Sequence, residues 1–278
     1  MQLDLEKIDK IIKNALDEDI GEGDITSFLT IGDDEKTSMA FVSRENIVVC
    51  GLDIIARLFE IFDSKIEFSP LKKDGEIAKN GEKIATVSGS AKSILTTERT
   101  ALNLLQHLCG IATKTHEYVE AIKGTNAKIL DTRKTTPCLR VLEKYAVRTG
   151  GGQNHRMRLD DGILIKDNHI HIAGGIKEAL IKAKEGNNKG LKIEIECDTL
   201  EQLSQAIEAG ADIILLDNMS AEDLKEAVSI SGGKVKLEAS GGITLENINE
   251  IAKTGVDFIS VGAITHSARN VDIGLDAA

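Results

Sequence analysis

The sequence predicts an α/β protein in which a mixed α+β region precedes a parallel α/β sheet or barrel. In the second half of the chain, short apolar runs alternate with amphipathic helical patterns, as in GILIKD, IKEALIKAKE and LKIEIEC. Such alternation is typical of βα units, in which helices join parallel strands. In the first half, strand-like and helix-like runs mix without regular alternation. We count about six or seven strands in the second half, against the eight of a complete barrel.

The first half begins with a helix predicted over residues 2–17 and a loop, DEDIGEGDIT. Strands are expected at MAFVSR and NIVVCG, followed by a helix from Ile54 to Phe62 and by strands within IEFSPLKKDGEIAKNGEKIATVSG. A long helix is expected over about 93–122, broken near Gly110, as the bridge between two domains. The apolar stripe that predicts the first helix consists of Leu3, Leu5, Ile8, Ile11, Ile12 and Leu16.

Composition excludes several classes of protein. The chain has 278 residues and is 41% hydrophobic, which is enough for one large domain or two modest ones. A net charge of -11 and the absence of Trp argue against nucleic acid as a partner. The four cysteines lie far apart, as expected for reduced thiols in a cytoplasmic protein. The acidic, periodic N-terminus is unlike a signal peptide. Charges interrupt the most apolar run, Ile47 to Phe62, so no membrane span is expected.

Polar residues or glycine stand where each predicted strand of the second half ends. In a barrel these positions converge on one face, where active sites are built. A doubly wound open sheet is the alternative, and it would spread them along a line. The positions are Asp131, Lys166, Glu196, Asp217, Ser240 and Gly262.

Basic side chains are concentrated in the segment from Asp131 to His169, although the whole chain is acidic. Arg133 and Lys134 follow one predicted strand directly, and Lys166 follows another, so they should project into the same pocket. Guanidinium groups suit carboxylates and phosphates, which makes a polyanion pocket the favoured interpretation. The alternative is a solvated basic face, and it has equal weight for the three cations at helical spacing, Arg140, Lys144 and Arg148.

Two acids, Glu196 and Asp217, close neighbouring predicted strands. They could hold Mg²⁺ together with ligand phosphates, directly or indirectly, or they could simply neutralise the cations. Glu194 shares the facing of Glu196 and competes for the role.

Glycine-rich turns leave the last two predicted strands at EASGGIT and SVGAIT. Bare N–H groups in such turns bind phosphate, and barrels often place a phosphate there, although glycine also serves plain tight turns.

Six segments together resemble the quinolinate phosphoribosyltransferase family over nearly the whole chain. They are TERTALNLLQHLCGIAT, DTRKTTPCLRVLEKYAVRTGGGQNHRMRLDDGILIKDNH, IEIECDTLEQ, LLDNM, EASGGI and SVGAITHSA. Cys138 departs from the family pattern, which usually has Gly after TTP. The resemblance implies an N-terminal α/β sandwich (1–110), an incomplete, seven-stranded α/β barrel (111–265) and a C-terminal segment (266–278) that returns to the first domain.

The resemblance also implies a reaction and its residues. Quinolinate and phosphoribosyl pyrophosphate would give nicotinate mononucleotide, pyrophosphate and CO₂ with Mg²⁺, in a homodimer whose sites are shared; further assembly is left open. Arg99 would reach into the partner's site. The quinolinate carboxylates would meet Arg133, His155, Arg156 and Lys166. Thr132 would also bind substrate. The phosphoribosyl ligand would meet Lys134, Glu196 and Asp217, and its 5′-phosphate would meet the turns formed by Ser240, Gly241, Gly242, Val261, Gly262 and Ala263. Lys134, Lys166, Glu196 and Asp217 would act in catalysis.

Two other functions are weighed against this one. A related phosphoribosyltransferase that takes a mono-acid or another anion would need fewer cations for carboxylates. A non-catalytic phosphate-binding barrel would have no use for both acids and every basic position.

Overall fold

A computed structural model describes residues 4–278 as two compact units. Unit 1 comprises residues 4–116, Thr135–Gly151 and Ile264–Ala278. Unit 2 comprises Glu117–Lys134 and Gly152–Ala263. The units therefore alternate along the chain.

The elements of the described chain follow one another in this order: α1 (Leu5–Ile20), α2 (Ile25–Thr30), β1 (Lys36–Ser43), β2 (Ile47–Val48), α3 (Leu52–Phe62), β3 (Glu67–Pro70), β4 (Ile77–Ala78), β5 (Lys83–Ser90), α4 (Ala91–Ala121), β6 (Lys128–Leu130), α5 (Arg140–Thr149), β7 (Ile163–Ile165), α6 (Asp167–Ala173), α7 (Ile176–Gly186), β8 (Ile193–Cys197), α8 (Leu200–Glu208), β9 (Ile213–Asp217), α9 (Ala221–Ser231), β10 (Lys236–Ser240), α10 (Ile248–Ala252), β11 (Phe258–Ser260), α11 (Ala263–His266) and β12 (Ile273–Ala277). None of the helices in this described part of the chain is both long enough and apolar enough to cross a membrane.

Unit 1 is built on an antiparallel sheet with the strand order β12-β1-β5-β3, beside a small pair formed by β2 and β4. The last strand of the chain thus pairs with the first, and Leu275 lies opposite Phe41. Three aromatic rings, Phe41, Phe59 and Phe68, pack together with centroids 5.8–6.3 Å apart. Their burial joins α3 to the sheet, because large aromatic side chains contribute most of the apolar area in a small core.

The first helix agrees with the sequence prediction in its core-facing stripe and differs at its ends. Ile8, Ile12 and Leu16 are buried, whereas Leu5 is exposed and Leu3 lies outside the described residues. The loop predicted at DEDIGEGDIT is shorter than expected. Helix α1 continues to Ile20, and Asp24 caps α2 by accepting from the Ser27 amide at 3.0 Å.

The break predicted near Gly110 is absent, because α4 is continuous from Ala91 to Ala121. A Cβ at Gly110 would lie 2.1 Å from the Arg269 carbonyl oxygen. The glycine therefore serves the close approach of the C-terminal segment and does not interrupt the helix.

Unit 2 is a parallel sheet with the strand order β6-β11-β10-β9-β8-β7 and helices between its strands. A single parallel bridge pairs Gln153 with Leu130, and it adds a seventh position beside β6. No ladder among residues 4–278 joins that position to β7. The α/β fold class and the incomplete barrel expected from the sequence are confirmed.

Candidate active site

The carboxyl ends of the unit 2 strands surround a cavity of about 360 Å³. Every residue that lines it belongs to unit 2. The lining residues are Thr132, Arg133, Lys134, His155, Arg156, Leu164, Lys166, Glu196, Leu215, Asp217, Glu238, Ser240 and Ser260.

The cavity shows that the sheet is curled. Strands β6 and β7 are its two edges, five strand spacings apart, which in a flat sheet would be about 24 Å. Thr132–Lys134, directly after β6, and Lys166, directly after β7, nevertheless line the same cavity. The strand ends therefore form a ring, and the open-sheet alternative is wrong.

Lys166 forms an ion pair with Glu196 inside this ring. The Lys166 ammonium lies 2.8 Å from the Glu196 carboxylate, with the lysine side chain 48% and the glutamate side chain 10% exposed. The Lys166 backbone N–H donates to His169 Nδ1 at 3.0 Å, which places His169 beside the site. Lys166 therefore projects into the cavity from the end of β7, and Glu196 balances part of its positive charge.

Arg156 is held by its own loop and faces a second guanidinium. Its Nη1 donates to the Gly162 carbonyl at 2.9 Å. Burial, and then the positive charge of nearby Arg133, lower the pKa of the Arg156 guanidinium. Both cations are half-buried, and two neighbouring cations that repel one another favour an anion between them.

Asp131, one of the predicted strand-end residues, is buried and holds the segment that carries two site residues. It is fully buried, and its carboxylate accepts from the Asn154 amide nitrogen at 2.5 Å and from the His155 backbone N–H at 2.9 Å. This aspartate does not line the cavity. Its role in the structure is to hold the chain that carries His155 and Arg156.

The two predicted acids lie together, and a third accompanies them. Glu196, Asp198 and Asp217 each have a carboxylate oxygen within 4.8 Å of the others. Sequence reasoning missed Asp198, whose spacing of two from Glu196 was the available signal. Carboxylate oxygens are the donors that Mg²⁺ prefers, so the chemistry of this set fits the ion.

The glycine turns lie where they were expected, and only part of each motif reaches the cavity. Ser240 and Ser260 line it, whereas Gly241, Gly242, Val261, Gly262 and Ala263 follow their strands without being lining residues. Gly241 has φ +88, and a Cβ there would lie 2.1 Å from Asn218 Oδ1, so this turn requires glycine.

The cavity wall contains a buried polar cluster in which His155 was predicted as a site residue, whereas Glu238 and Ser260 were not. His155 Nε2 lies 2.8 Å from Glu194 Oε2 and 3.8 Å from Glu238 Oε1. Ser260 Oγ donates to Glu238. Glu194 competed with Glu196 in the sequence because both face the same side of β8, whereas Glu238 and Ser260 carried no signal beyond their place in the last strands.

The remaining predicted cations lie in unit 1. Arg99 is exposed on α4. Lys144 is fully buried within α5, so a solvated helix face does not describe it, and Arg148 lies over the Tyr145 ring at 5.9 Å.

Known proteins resemble the chain in sequence and in structure. The family "Quinolinate phosphoribosyl transferase" matches residues 24–109 with its N-terminal domain and residues 111–276 with its C-terminal domain. A "probable nicotinate-nucleotide pyrophosphorylase [carboxylating]" from Methanocaldococcus jannaschii is 46% identical over 96% of this chain and 96% of its own. The corresponding protein of Bacillus subtilis is 44% identical over 97% of this chain and 93% of its own.

A solved structure agrees with the sequence matches. The nicotinate-nucleotide pyrophosphorylase of Francisella tularensis superposes with a TM-score of 0.94 at 45% identity, and covers 98% of this chain and 96% of its own. Family matches to both parts of the chain, together with relatives above 40% identity over nearly its full length, lead to one conclusion. The protein is a member of the quinolinate phosphoribosyltransferase family.

Proposed function

We propose that the protein transfers a phosphoribosyl group from phosphoribosyl pyrophosphate to quinolinate and removes one carboxylate as CO₂. The products are nicotinate mononucleotide and pyrophosphate, so the enzyme is a pentosyltransferase of NAD biosynthesis. Family membership supports the reaction class. The geometry of the cavity supports the substrates.

One observation supports this proposal most strongly: basic and acidic side chains occupy different parts of the ring of strand ends. Basic groups come from three adjacent positions: Arg133 and Lys134 after β6, Arg156 after the Gln153 bridge and Lys166 after β7. Acids come from the next two strands, Glu196 on β8 and Asp217 on β9. We call these two sets of residues the basic arc and the acidic arc. A substrate with two adjacent carboxylates fits the basic arc, and a sugar that develops positive charge fits the acidic arc.

This division matches the charges that the reaction develops. The pyridine nitrogen attacks ribose C1, and the C1–O bond breaks with its electron pair leaving on pyrophosphate. Positive charge then grows on the sugar beside Glu196 and Asp217, while Lys134 faces the leaving group. The bond to the carboxylate at C2 then breaks with its electron pair left on the ring, beside the cationic nitrogen, and C2 takes up a proton.

Mg²⁺ is proposed as the metal. Glu196 and Asp217, with Asp198 beside them, would hold it directly or through water, and it would neutralise the leaving pyrophosphate. The pairing of Glu196 with Lys166 leaves the second glutamate oxygen for such a role.

The 5′-phosphate is proposed to bind at the two turns after β10 and β11. Ser240 contributes from the cavity wall, and the following glycines present backbone N–H groups. These turns lie on the ring between the acidic arc and the basic arc, so phosphate, ribose and ring would occupy consecutive positions.

The proposal is tested by identifying the products. Purified protein, quinolinate, phosphoribosyl pyrophosphate and Mg²⁺ should yield nicotinate mononucleotide by mass spectrometry, and nicotinate should be a poor acceptor in place of quinolinate. Equal or better use of nicotinate would favour the mono-acid alternative. Binding of both ligands with no product would favour the non-catalytic barrel.

Replacing Asp217 with Asn and Glu196 with Gln should lower turnover by about 10²- to 10³-fold, because each removes a charge that stabilises the developing sugar cation while preserving shape. The dependence of activity on Mg²⁺ concentration should weaken in the same variants. A Glu201→Gln variant, altered at an exposed glutamate of α8, is the matched control. Wild-type turnover with an unchanged Mg²⁺ titration would show that both acids are only counter-ions.

We further propose a homodimer whose sites are shared, with Arg99 completing the partner's site. An apolar surface on unit 1 supports assembly: Ile25, Phe28 and Leu29 of α2 are 73–75% exposed. Large apolar side chains grouped on one short exposed helix are typical of a surface that another protein covers. A second copy of this chain is the proposed occupant, because Arg99 is an exposed cation of the same unit and the polyanion site is in unit 2.

Substituting Phe28 or Leu29 with Asp should convert the dimer to a monomer at micromolar concentration, because a charge in an apolar interface loses its hydration. Sedimentation velocity measures the mass. The control is Leu71→Asp, which places the same charge at another exposed leucine of unit 1. If both α2 variants keep the wild-type mass, α2 is not the interface.

A cytoplasmic location is proposed as well. All four cysteines are free thiols in the structure, and three of them are buried. Reduced thiols are the rule in the cytoplasm. Fractionation of the native host, with detection by antibody, tests the location.

A further inference from the structure

Three groups at the wall of the cavity form one largely buried unit: His155, Glu194 and Glu238. Each has one ligand-type atom within 4.8 Å of those of the other two. Glu194 is 5% and Glu238 is 1% exposed. Two ionised carboxylates at this separation in a dry interior would repel one another strongly, so one of them is expected to hold a proton.

Both ring nitrogens of His155 are engaged inside the protein. The Arg156 backbone N–H donates to Nδ1 at 2.7 Å, which requires a lone pair on Nδ1. The proton of a neutral ring therefore lies on Nε2, 2.8 Å from Glu194 Oε2. An Nε2 that donates this bond has no lone pair for a cation, so the three groups are an internal hydrogen-bond unit and not a metal site.

The surroundings of Glu238 indicate where the remaining proton lies. Among the described residues, the titratable groups that face Glu238 are Glu194 from β8 and His155. From the flanking strands, β9 offers Leu215 and β11 offers the Ser260 hydroxyl. Glu194 Oε1 is buried and lacks a hydrogen-bond donor. A proton on Glu238 would supply that donor.

We infer that Glu238 is a neutral carboxylic acid that supports Glu194, and that together they fix His155 as an uncharged positioning residue for Arg156. The inference deepens the proposed function and rests on it for its effect on quinolinate. It revises the role expected for His155: the imidazole adds no positive charge to the pocket and holds the backbone of the arginine that does. Burial, and then the negative charge of Glu194, raise the pKa of the Glu238 carboxyl, which agrees with the geometry.

The sign of the pH dependence follows from this protonation. Because the folded protein binds the Glu238 proton more tightly than the unfolded chain, stability should fall as the pH rises from the ordinary glutamate pKa of about 4.3 to the raised folded pKa, and level off above it. Ionised Glu238 would also place a negative charge in the wall of a cavity that receives a dianion. KM for quinolinate should then rise by about 30-fold or more, as expected for two unit charges within about 8 Å of one another at an effective dielectric constant of about 20.

The test compares the wild type with Glu238→Gln, whose amide has the shape and donor of a protonated carboxyl. In ¹⁵N spectra of the wild type at neutral pH, His155 should carry its proton on Nε2 only. The increase in Tm of Glu238→Gln over the wild type should grow with pH across the window above. The rise of KM for quinolinate at basic pH should be lost in the variant. The measured quantity is the shape of the plot of KM against pH, not the absolute value of KM.

Two outcomes overturn the inference. One is a His155 ring that carries a proton on Nδ1 at neutral pH, and this wild-type measurement decides even if Glu238→Gln fails to fold. The other is the same pH dependence of Tm in both proteins. Neither measurement requires substrate, so both can overturn the inference even if the protein does not turn over quinolinate. Absence of quinolinate turnover would refute the proposed reaction and not this inference.

Discussion

Alanine at Arg133 or Arg156 is expected to weaken quinolinate binding by roughly 30- to 4000-fold, equivalent to about 2–5 kcal/mol. Both guanidinium groups are half-buried in the wall of the cavity. Loss of one leaves a carboxylate of the bound ligand without its partner in a largely dry pocket. Affinity for phosphoribosyl pyrophosphate should change far less, because its proposed contacts lie elsewhere on the ring.

Lysine should restore little of this loss. A point charge cannot reproduce the planar pair of donors that a carboxylate accepts from arginine. At position 156 the substitution also removes the donor to the Gly162 carbonyl, which orients the side chain.

Isothermal titration calorimetry with each substrate separately measures both affinities. Arg158→Ala is the matched control, because Arg158 belongs to the same segment, pairs with Asp160 on the surface and does not line the cavity. Unchanged quinolinate affinity in both Arg133→Ala and Arg156→Ala would remove these residues from the carboxylate site.

Mixing inactive Arg99→Ala subunits with inactive Lys166→Ala subunits is expected to restore activity. If Arg99 completes the partner's site, each mixed dimer has one site that lacks both groups and one that has both. Activity per mixed dimer should be about half that of the wild type, and an equimolar mixture with random exchange should reach about a quarter.

The controls for this experiment are each variant alone and a mixture of the variants under conditions that prevent subunit exchange. All three should be inactive. Mixed dimers verified by native mass spectrometry that remain inactive would contradict a shared site, as would a folded monomer with full activity at the assay concentration.

The fold of unit 2 could be predicted because its signals are local. Each βα repeat carries an apolar strand and a helix with an apolar face, so periodicity is enough to locate β8, β9 and β10. In unit 1, the continuity of α4 through Gly110 could not be predicted, because the reason for the glycine is the backbone of Arg269, more than a hundred residues away. Sequence spacing carries no signal for such a contact.

The site divides in the same way. Lys166, Glu196 and Asp217 stand at strand ends, and parallel strands bring such ends together whatever their order. The buried contact of Glu238 with Glu194 and His155 could not be predicted from the sequence. Neither periodicity nor a motif distinguishes Glu238 within EASGGIT, and the curling of the sheet brings it beside the other two residues.

The most direct test of the proposed reaction is the stoichiometry of CO₂ release from quinolinate labelled at the carboxylate on C2. In the presence of Mg²⁺, the account predicts one CO₂ for each pyrophosphate and each nicotinate mononucleotide formed, and no CO₂ when phosphoribosyl pyrophosphate is omitted. Pyrophosphate release without CO₂, or CO₂ release that does not require phosphoribosyl pyrophosphate, would contradict it.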